Sequence, residues 1–381
     1  MSLICIELIA MNKPVMLFDA RAITIKPCGV RNVAENYLAE LKEKYDLIAI
    51  VNADAAVLIP VSIRKVVCCR HLSRFNPLSD LFVSLLVLRY RPTVFFSAHS
   101  FLPVFAFLPK IRVFVCHDLF AVFDKNFFSK KGMLAPLARL YFRILSELSF
   151  LRASVVITPS EVIRESFNRL YAKPKKVLVV HNGITVTGDQ DSSRLLGKQV
   201  LFVGNFRSYK GLDILLDAWI QFCASPQSAG CSLAVVTNEP AQAVVRLQQV
   251  KPDLERVSFH SRISEQELIR MRNSSSIFVV PSRHEGFGMP LLEAIAAGGA
   301  VICSNIPVFR ELLNDFDTTV INTFQTENAL DLGQVLSRVV RQIVSSELNA
   351  DLVVSRSTNL QVLRKHFSWK TAADKVTSVL Q

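Results

Sequence analysis

A chain of 381 residues, half of them hydrophobic and a fifth charged, carries apolar material for two or three ordinary domains and is no disordered polymer. Its net charge of +12 is lopsided: residues 1–190 hold 25 Lys+Arg against 14 Asp+Glu, residues 191–381 hold 19 against 18. A basic first half favours an anionic partner, and with no zinc-ligand spacing, aromatic nucleic-acid motif or long Lys/Arg tract, nucleic acid is not the partner expected.

In chain order, the opening LICIELIA lacks a leading Lys or Arg and contains Glu7, so it reads as a short strand or extension rather than a signal peptide, and Met11 is an alternative start. Short apolar strands follow at Val15–Asp19, Leu47–Val51, Val94–Ser97, Val113–Cys116, Val155–Thr158 and Val177–Val180, with helices between them at Asn32–Lys44 and Ala135–Phe150. The longest compact apolar run, Leu81–Leu88, is far short of the about 20 residues a spanning helix needs. The eight cysteines form no C-x-x-C pair and lie mostly in apolar runs, as expected of reduced, buried thiols. The polar stretch Ile184–Lys198 reads as a linker. Beyond it, strands are expected at Val200–Val203, Ser232–Thr237, Val257–His260, Ile277–Val280, Ala300–Ser304 and Thr318–Ile321. Helices are expected at Leu212–Cys223, Glu265–Met271, Leu291–Ala297 and Leu330–Ser345. Strand–helix alternation on both sides of one linker predicts α/β architecture, two doubly wound domains facing a cleft, at 1–185 and 196–365.

The segment IFVVPSRHEGFGMPLLEAIAAGG, from Ile277, is the most informative. A buried strand ends at Pro281, and a loop with Gly286 and Gly288 lets backbone approach a ligand. Pro290 then stands at a helix start that closes at Gly298 and Gly299. Free amides and the positive end of a helix dipole suit a diphosphate. Glu285 lies in the loop, and Glu293, eight positions on, falls in the helix's first turn, where the dipole favours a carboxylate.

This pattern, E-G-F-G-M-P-x-x-E-A with its Glu-x7-Glu spacing, resembles the donor-site signature of the family 4 retaining glycosyltransferases. Phe202–Gly211 (FVGNFRSYKG) resembles that family's V-G-x-x-x-x-x-K-G loop, and Cys116–Leu119 (CHDL) its His-Asp at a strand end. ITPSE from Ile157 and VHNGI from Val180 resemble its interdomain segments, and FSWKTAADKVTSVL from Phe367 its last helix. The resemblance covers nearly the whole chain. It implies the GT-B fold, an acceptor-binding first domain, a nucleotide-sugar-binding second domain, and a last helix, 366–381, that returns to the first.

The resemblance also implies residue roles. Glu293 would hold the donor ribose and Glu285 the hydroxyls of the transferred sugar. Backbone amides near the stretch Phe287, Gly288, Met289, Pro290, Leu291 would meet the diphosphate, with Arg207 and Lys210 neutralising it. His117 would lie near the reacting sugar or acceptor. Gly29, the one glycine in KPCGVRN, would let backbone approach the donor phosphate, although Arg31 stands where relatives carry a second glycine. Arg21, just past the first strand, is expected at the cleft. No pair of nucleophile and acid/base carboxylates is visible, in agreement with same-face attack in which the donor phosphate takes the acceptor proton. No metal and no cofactor are expected: the D-x-D at Asp315–Asp317 reads as a turn.

The expected activity is therefore transfer of a sugar, mannose from GDP-mannose as first choice, to a lipid-linked or polysaccharide acceptor. The expected place is the inner face of the cytoplasmic membrane, with peripheral contact to anionic lipid through the basic half and the Phe127, Phe128, Lys130, Lys131 cluster. A UDP-sugar donor, an epimerase or phosphorylase on the same fold, and a non-catalytic membrane-associated binding protein are the alternatives. The oligomeric state is left open.

Overall fold

A computed structural model describes residues 13–25, 28–60, 62–69, 77–103, 108–119, 135–171, 176–186, 198–239, 244–245, 254–345 and 349–380. The chain divides into two compact units, Met1–Pro159 with Ile163–Val180 and Ala372–Gln381, and Ser160–Val162 with His181–Thr371.

The first unit runs β1 (Val15–Asp19), α1 (Gly29–Leu41), β2 (Asp46–Asn52), β3 (Lys65–Cys69), α2 (Pro77–Tyr90), β4 (Val94–Ser97), β5 (Ile111–Val115), α3 (Ala135–Arg152), β6 (Val155–Thr158), α4 (Glu161–Leu170) and β7 (Lys176–Val179). Its strands make one parallel sheet ordered β3-β2-β1-β4-β5-β6-β7. Neighbour order reverses between β1 and β4, the point at which doubly wound sheets open a crevice at their carboxyl edge. Strands β4 and β6 are buried throughout, and β1 beyond Val15, because helices cover both faces, which is why they read as apolar runs. β3, absent from the sequence reading, is an edge strand with three of its five residues exposed, so its KVVCC gives no such run.

The second unit runs β8 (Gln199–Val203), α5 (Leu212–Cys223), β9 (Ser232–Thr237), β10 (Val257–Ser261), α6 (Glu265–Ser274), β11 (Ile277–Val280), α7 (Met289–Ala297), β12 (Ala300–Ser304), α8 (Pro307–Leu313), β13 (Ile321–Phe324), α9 (Ala329–Val344), α10 (Asn349–His366) and α11 (Trp369–Leu380), the last belonging to the first unit from Ala372 onward. The sheet order is β10-β9-β8-β11-β12-β13, again all parallel, with its reversal between β8 and β11. The last strand begins at Ile321, three residues later than the sequence suggested, because the Ile321 amide closes a turn on the Thr318 carbonyl (3.0 Å). α9 shows how the helices are held: Leu332, Val335, Leu336, Val339, Val340 and Ile343 recur every three or four positions and are buried. The Asn328 side chain caps the first turn by accepting the Asp331 amide (3.0 Å).

The expected aromatic–basic cluster at Phe127–Lys131 and most of the linker lie outside the described residues. Among the described residues no helix is long and apolar enough to cross a membrane.

Candidate active site

The second sheet's reversal point gathers the predicted donor residues. After β8 the chain makes a single 3-10 turn, Ser208–Lys210, ended by Gly211 at φ +69°. A Cβ at Gly211 would lie 1.9 Å from the Pro281 carbonyl oxygen, so only glycine lets this loop press against the end of β11. The contact carries Lys210 to Glu285: Nζ lies 2.7 Å from Oε1, and the same oxygen accepts a hydrogen bond from Ser282 Oγ at 2.8 Å. Both side chains of the pair are largely shielded from water, 15% and 10% exposed, so the attraction is not that of a solvated surface pair. An ammonium has three donors, which lets Lys210 hold Glu285 and still donate to a ligand oxygen.

Arg283, which the sequence reading did not single out, fastens the two loops together. Its guanidinium grips Asp213 with a two-pronged bond (2.7 and 2.8 Å) and reaches Glu327 (2.5 Å) and the Ser208 carbonyl (2.5 Å), while its amide donates to the Tyr209 carbonyl (2.8 Å). These bonds to two carboxylates hold the guanidinium pKa above its already high value, with Asp213 the larger contributor.

Gly288 opens α7 in the left-handed region, φ +105°, with Pro290 in the first turn. Its carbonyl accepts the Leu291 and Leu292 amides (3.0 and 3.2 Å), and Pro290 has no N–H, so a ligand at this helix end meets the amides that precede them. Phe287 contributes backbone only. Its ring is buried in a stack with His181 (5.7 Å between centroids) and Phe367 (6.2 Å), and Phe367 lies flat against His181 at 5.5 Å and 7°. The Gly286 carbonyl is fixed by Ser160 Oγ (2.8 Å), and Glu311 holds the neighbouring amides of Glu161 and Val162 (2.7 and 3.0 Å).

The helix starts at Met289, earlier than expected. Glu293 therefore sits in its second turn, not the first, and the dipole does not account for it. Its carboxylate pairs instead with Arg272 of α6, and the two close one side of a shallow depression also lined by Val203, Val280 and Pro290. An apolar floor with one carboxylate on its rim suits a nucleoside whose ribose hydroxyls need an acceptor. Arg207, at the start of the 3-10 turn, is exposed and lies on the rim of the same loop.

In the first unit, His117 follows β5, and its Nε2 lies 2.8 Å from the Ala98 carbonyl. A carbonyl only accepts, so Nε2 carries the proton, and in the neutral ring Nδ1 is the acceptor end. Gly29 begins α1 with open space around its Cα. Arg21, expected at the cleft, is shut away from solvent instead. It is 2% exposed, turned inward to grip Asp19 (2.8 and 2.6 Å) and to donate to Ser79, while His99 Nε2 lies 3.0 Å from the same carboxylate. A buried guanidinium needs a counter-ion, and the nearest is two residues back. Asp317 accepts the Thr319 amide and hydroxyl (3.0 and 2.6 Å), the geometry of a turn.

Two doubly wound parallel sheets, the second with a Lys–Glu pair and a helix start over its reversal point, are the architecture of the GT-B fold. Comparison with known families gives the rest. Residues 28–187 match the model for Glycosyltransferase Family 4, and residues 190–341 that for Glycosyl transferases group 1. The two halves of the chain are thus a Glycosyltransferase Family 4 domain and a Glycosyl transferases group 1 domain.

Among its relatives, O-antigen chain mannosyltransferase RfbU of Salmonella typhimurium is 30% identical over 184 residues, 46% of this chain and 49% of that protein. The GDP-mannose:cellobiosyl-diphosphopolyprenol alpha-mannosyltransferase of Xanthomonas campestris is 26% identical over 235 residues, 61% and 59% of the two chains. The chain thus spans about half to three fifths of the length of these curated relatives. Anabaena Alr3699/HepE, solved in complex with UDP, superposes with a TM-score of 0.71 over 96% of this chain and 99% of that one, at 17% identity, a likeness of fold.

Proposed function

We propose that this protein is a retaining, metal-independent glycosyltransferase that moves mannose from GDP-mannose to a lipid-linked or polysaccharide acceptor at an anionic membrane face. The observation that carries the reading is the Lys210–Glu285 pair, 2.7 Å apart at the reversal point of the second sheet, beside the start of α7. Breaking the bond between a sugar and a diphosphate concentrates negative charge on the departing phosphate. A fixed ammonium and a row of amides already aimed there stabilise that charge without reorganising. Lys210 supplies the charge, Arg207 a second one from the rim, and the amides from Phe287 to Met289 the dipoles. Glu293 accepts from the ribose and Glu285 from the sugar hydroxyls. In the first unit, His117 is the proposed contact to the transferred sugar or acceptor, and Gly29 the close approach of backbone. The acceptor proton passes to the donor phosphate on the face the leaving group vacates. The mannosyl choice is supported by the names of the relatives, both mannosyltransferases.

The test is thermal stabilisation by GDP, UDP and ADP, with and without magnesium, on wild type and Lys210→Ala. A ligand that binds only the folded state at a hundred times its Kd adds about 2.7 kcal/mol. A shift by GDP alone, independent of magnesium and lost in Lys210→Ala, is the expected result. A shift by UDP alone moves the donor to the uridine sugars, and no shift in a folded protein removes the donor-site reading.

A further inference from the structure

The second helix is apolar on its outer side as well as its inner one. Along α2, the polar residues Ser79, Asp80 and Ser84 are buried, whereas Leu78, Leu81, Leu85 and Leu88 are 67, 50, 55 and 54% exposed. Steps of three, four and three residues place these leucines in one stripe. A helix on the surface of a protein bathed only in water keeps its outer face polar. α3 carries a second stripe: Leu137, Leu140, Ile144 and Leu151 are exposed by 64, 55, 47 and 47%. The two helices lie against the same face of the first sheet. Val83, Leu86 and Val87 of α2 share one buried cluster with Phe150 of α3. Their outward stripes therefore look to the same side. Single exposed leucines are unremarkable, but eight large aliphatic side chains on two neighbouring helices form a patch of the kind that marks an interaction surface.

Charge selects the partner. Residues 60–152, which include both helices, hold 14 Lys+Arg against 4 Asp+Glu, a net of +10 out of the chain's +12. One of those four acids, Asp80, is buried, and another, Glu147, is paired with Arg143 (3.3 Å) on α3. At the far end of α2, Arg89 and Lys65 lie over the Tyr90 ring, at 5.8 and 5.1 Å. A second copy of this chain would bring the same positive field against itself, which opposes a homodimer through this face. A leucine surface in a basic setting matches an anionic bilayer, where the stripes enter the boundary of acyl chains and headgroups and the cations stay with the phosphates.

We infer that the outward face formed by α2 and α3 is the surface by which this protein seats on anionic membrane. This deepens the proposed function by naming its docking surface, and rests on that reading only for its purpose, since the docking is measured without any sugar.

The experiment is co-sedimentation of the full chain with vesicles of phosphatidylcholine alone or with 30% phosphatidylglycerol, for wild type, Leu85→Asp, Leu140→Asp and a control on the second unit, Leu330→Asp, whose side chain is 60% exposed. All three substituted residues point outward, so circular dichroism and melting should match wild type. Wild type is expected on the anionic vesicles and not on the neutral ones, with binding falling as salt rises. Leu85→Asp and Leu140→Asp should each partition about tenfold more weakly, from the lost burial of one leucine, and Leu330→Asp should bind as wild type. Overturning results are no binding of wild type to anionic vesicles, equal binding by all four proteins, or a wild-type dimer that Leu85→Asp dissociates. The nucleotide shift, run on the same samples, separates the two ideas: shift without vesicle binding sinks the docking face alone, and vesicle binding without shift sinks the donor site alone.

Discussion

At the scale of single residues, two buried carboxylates close together in the first unit have opposite electrostatics. Asp19 is wholly buried, which by itself would raise its pKa, but Arg21 and His99 outweigh burial and hold it well below the usual carboxylate range. Its contribution to stability is present above about pH 4 and is lost as pH falls further. Asp80 also lies near Arg21, yet burial prevails and lifts its pKa to about 6. Its ionisation therefore works against the fold, with a penalty that is absent below about pH 4, grows between 4 and 6, and is complete at 7. Asp80→Asn is expected to stabilise the protein by about 2–3 kcal/mol at pH 7 and to leave it unchanged at pH 4. Urea unfolding at the two pH values checks this, and an equal effect at both would remove the electrostatic account.

At the scale of elements, the donor loops behave as one clamped piece. Arg283 holds the turn that carries Lys210 through Asp213 and the Ser208 carbonyl, so its substitution acts on the ligand through Lys210. Arg283→Lys keeps the charge and loses the fork. It is expected to weaken nucleotide binding by about tenfold, on the scale of one lost charge-assisted bond of about 1.5 kcal/mol, with little change in the melting temperature of the free protein. Isothermal titration reads the first, a melt the second.

This is also where the sequence was least informative. The strand–loop–helix from Ile277 to Ala297 could be read because its signals are local: an apolar run, two glycines, a proline. The role of Arg283 could not be read, because its partners Asp213 and Glu327 lie 70 and 44 positions away. The bounds of α2 were not legible for a related reason. Its apolar residues run all around it, and so carry no helical period to detect.

At the scale of the whole molecule, both sheets were legible because buried parallel strands advertise themselves, and the miss at β3 falls at an edge, where burial stops enforcing composition. The division into units holds a feature that no strand pattern predicts: α11 belongs to the first unit from Ala372 on, although the second unit intervenes. Ala372, Ala373, Val376 and Leu380 are buried there, and Asp374 pairs with Lys44. Truncation after Ser368 is expected to loosen the first unit selectively. Hydrogen exchange should show lost protection around α1 and Lys44, while α5 and α9 in the second unit keep theirs.

That ordering has a consequence for how the protein is made. A ribosome produces the first unit up to Val180, then His181–Thr371, and only afterward the stretch that completes what it began. At about 5–20 residues per second, the interval is on the order of 10–40 s. During that time the nascent first unit lacks one of its helices, and the second unit, whose sequence is nearly continuous, is free to mature ahead of it. The part of the polypeptide synthesised first is thus the part finished last.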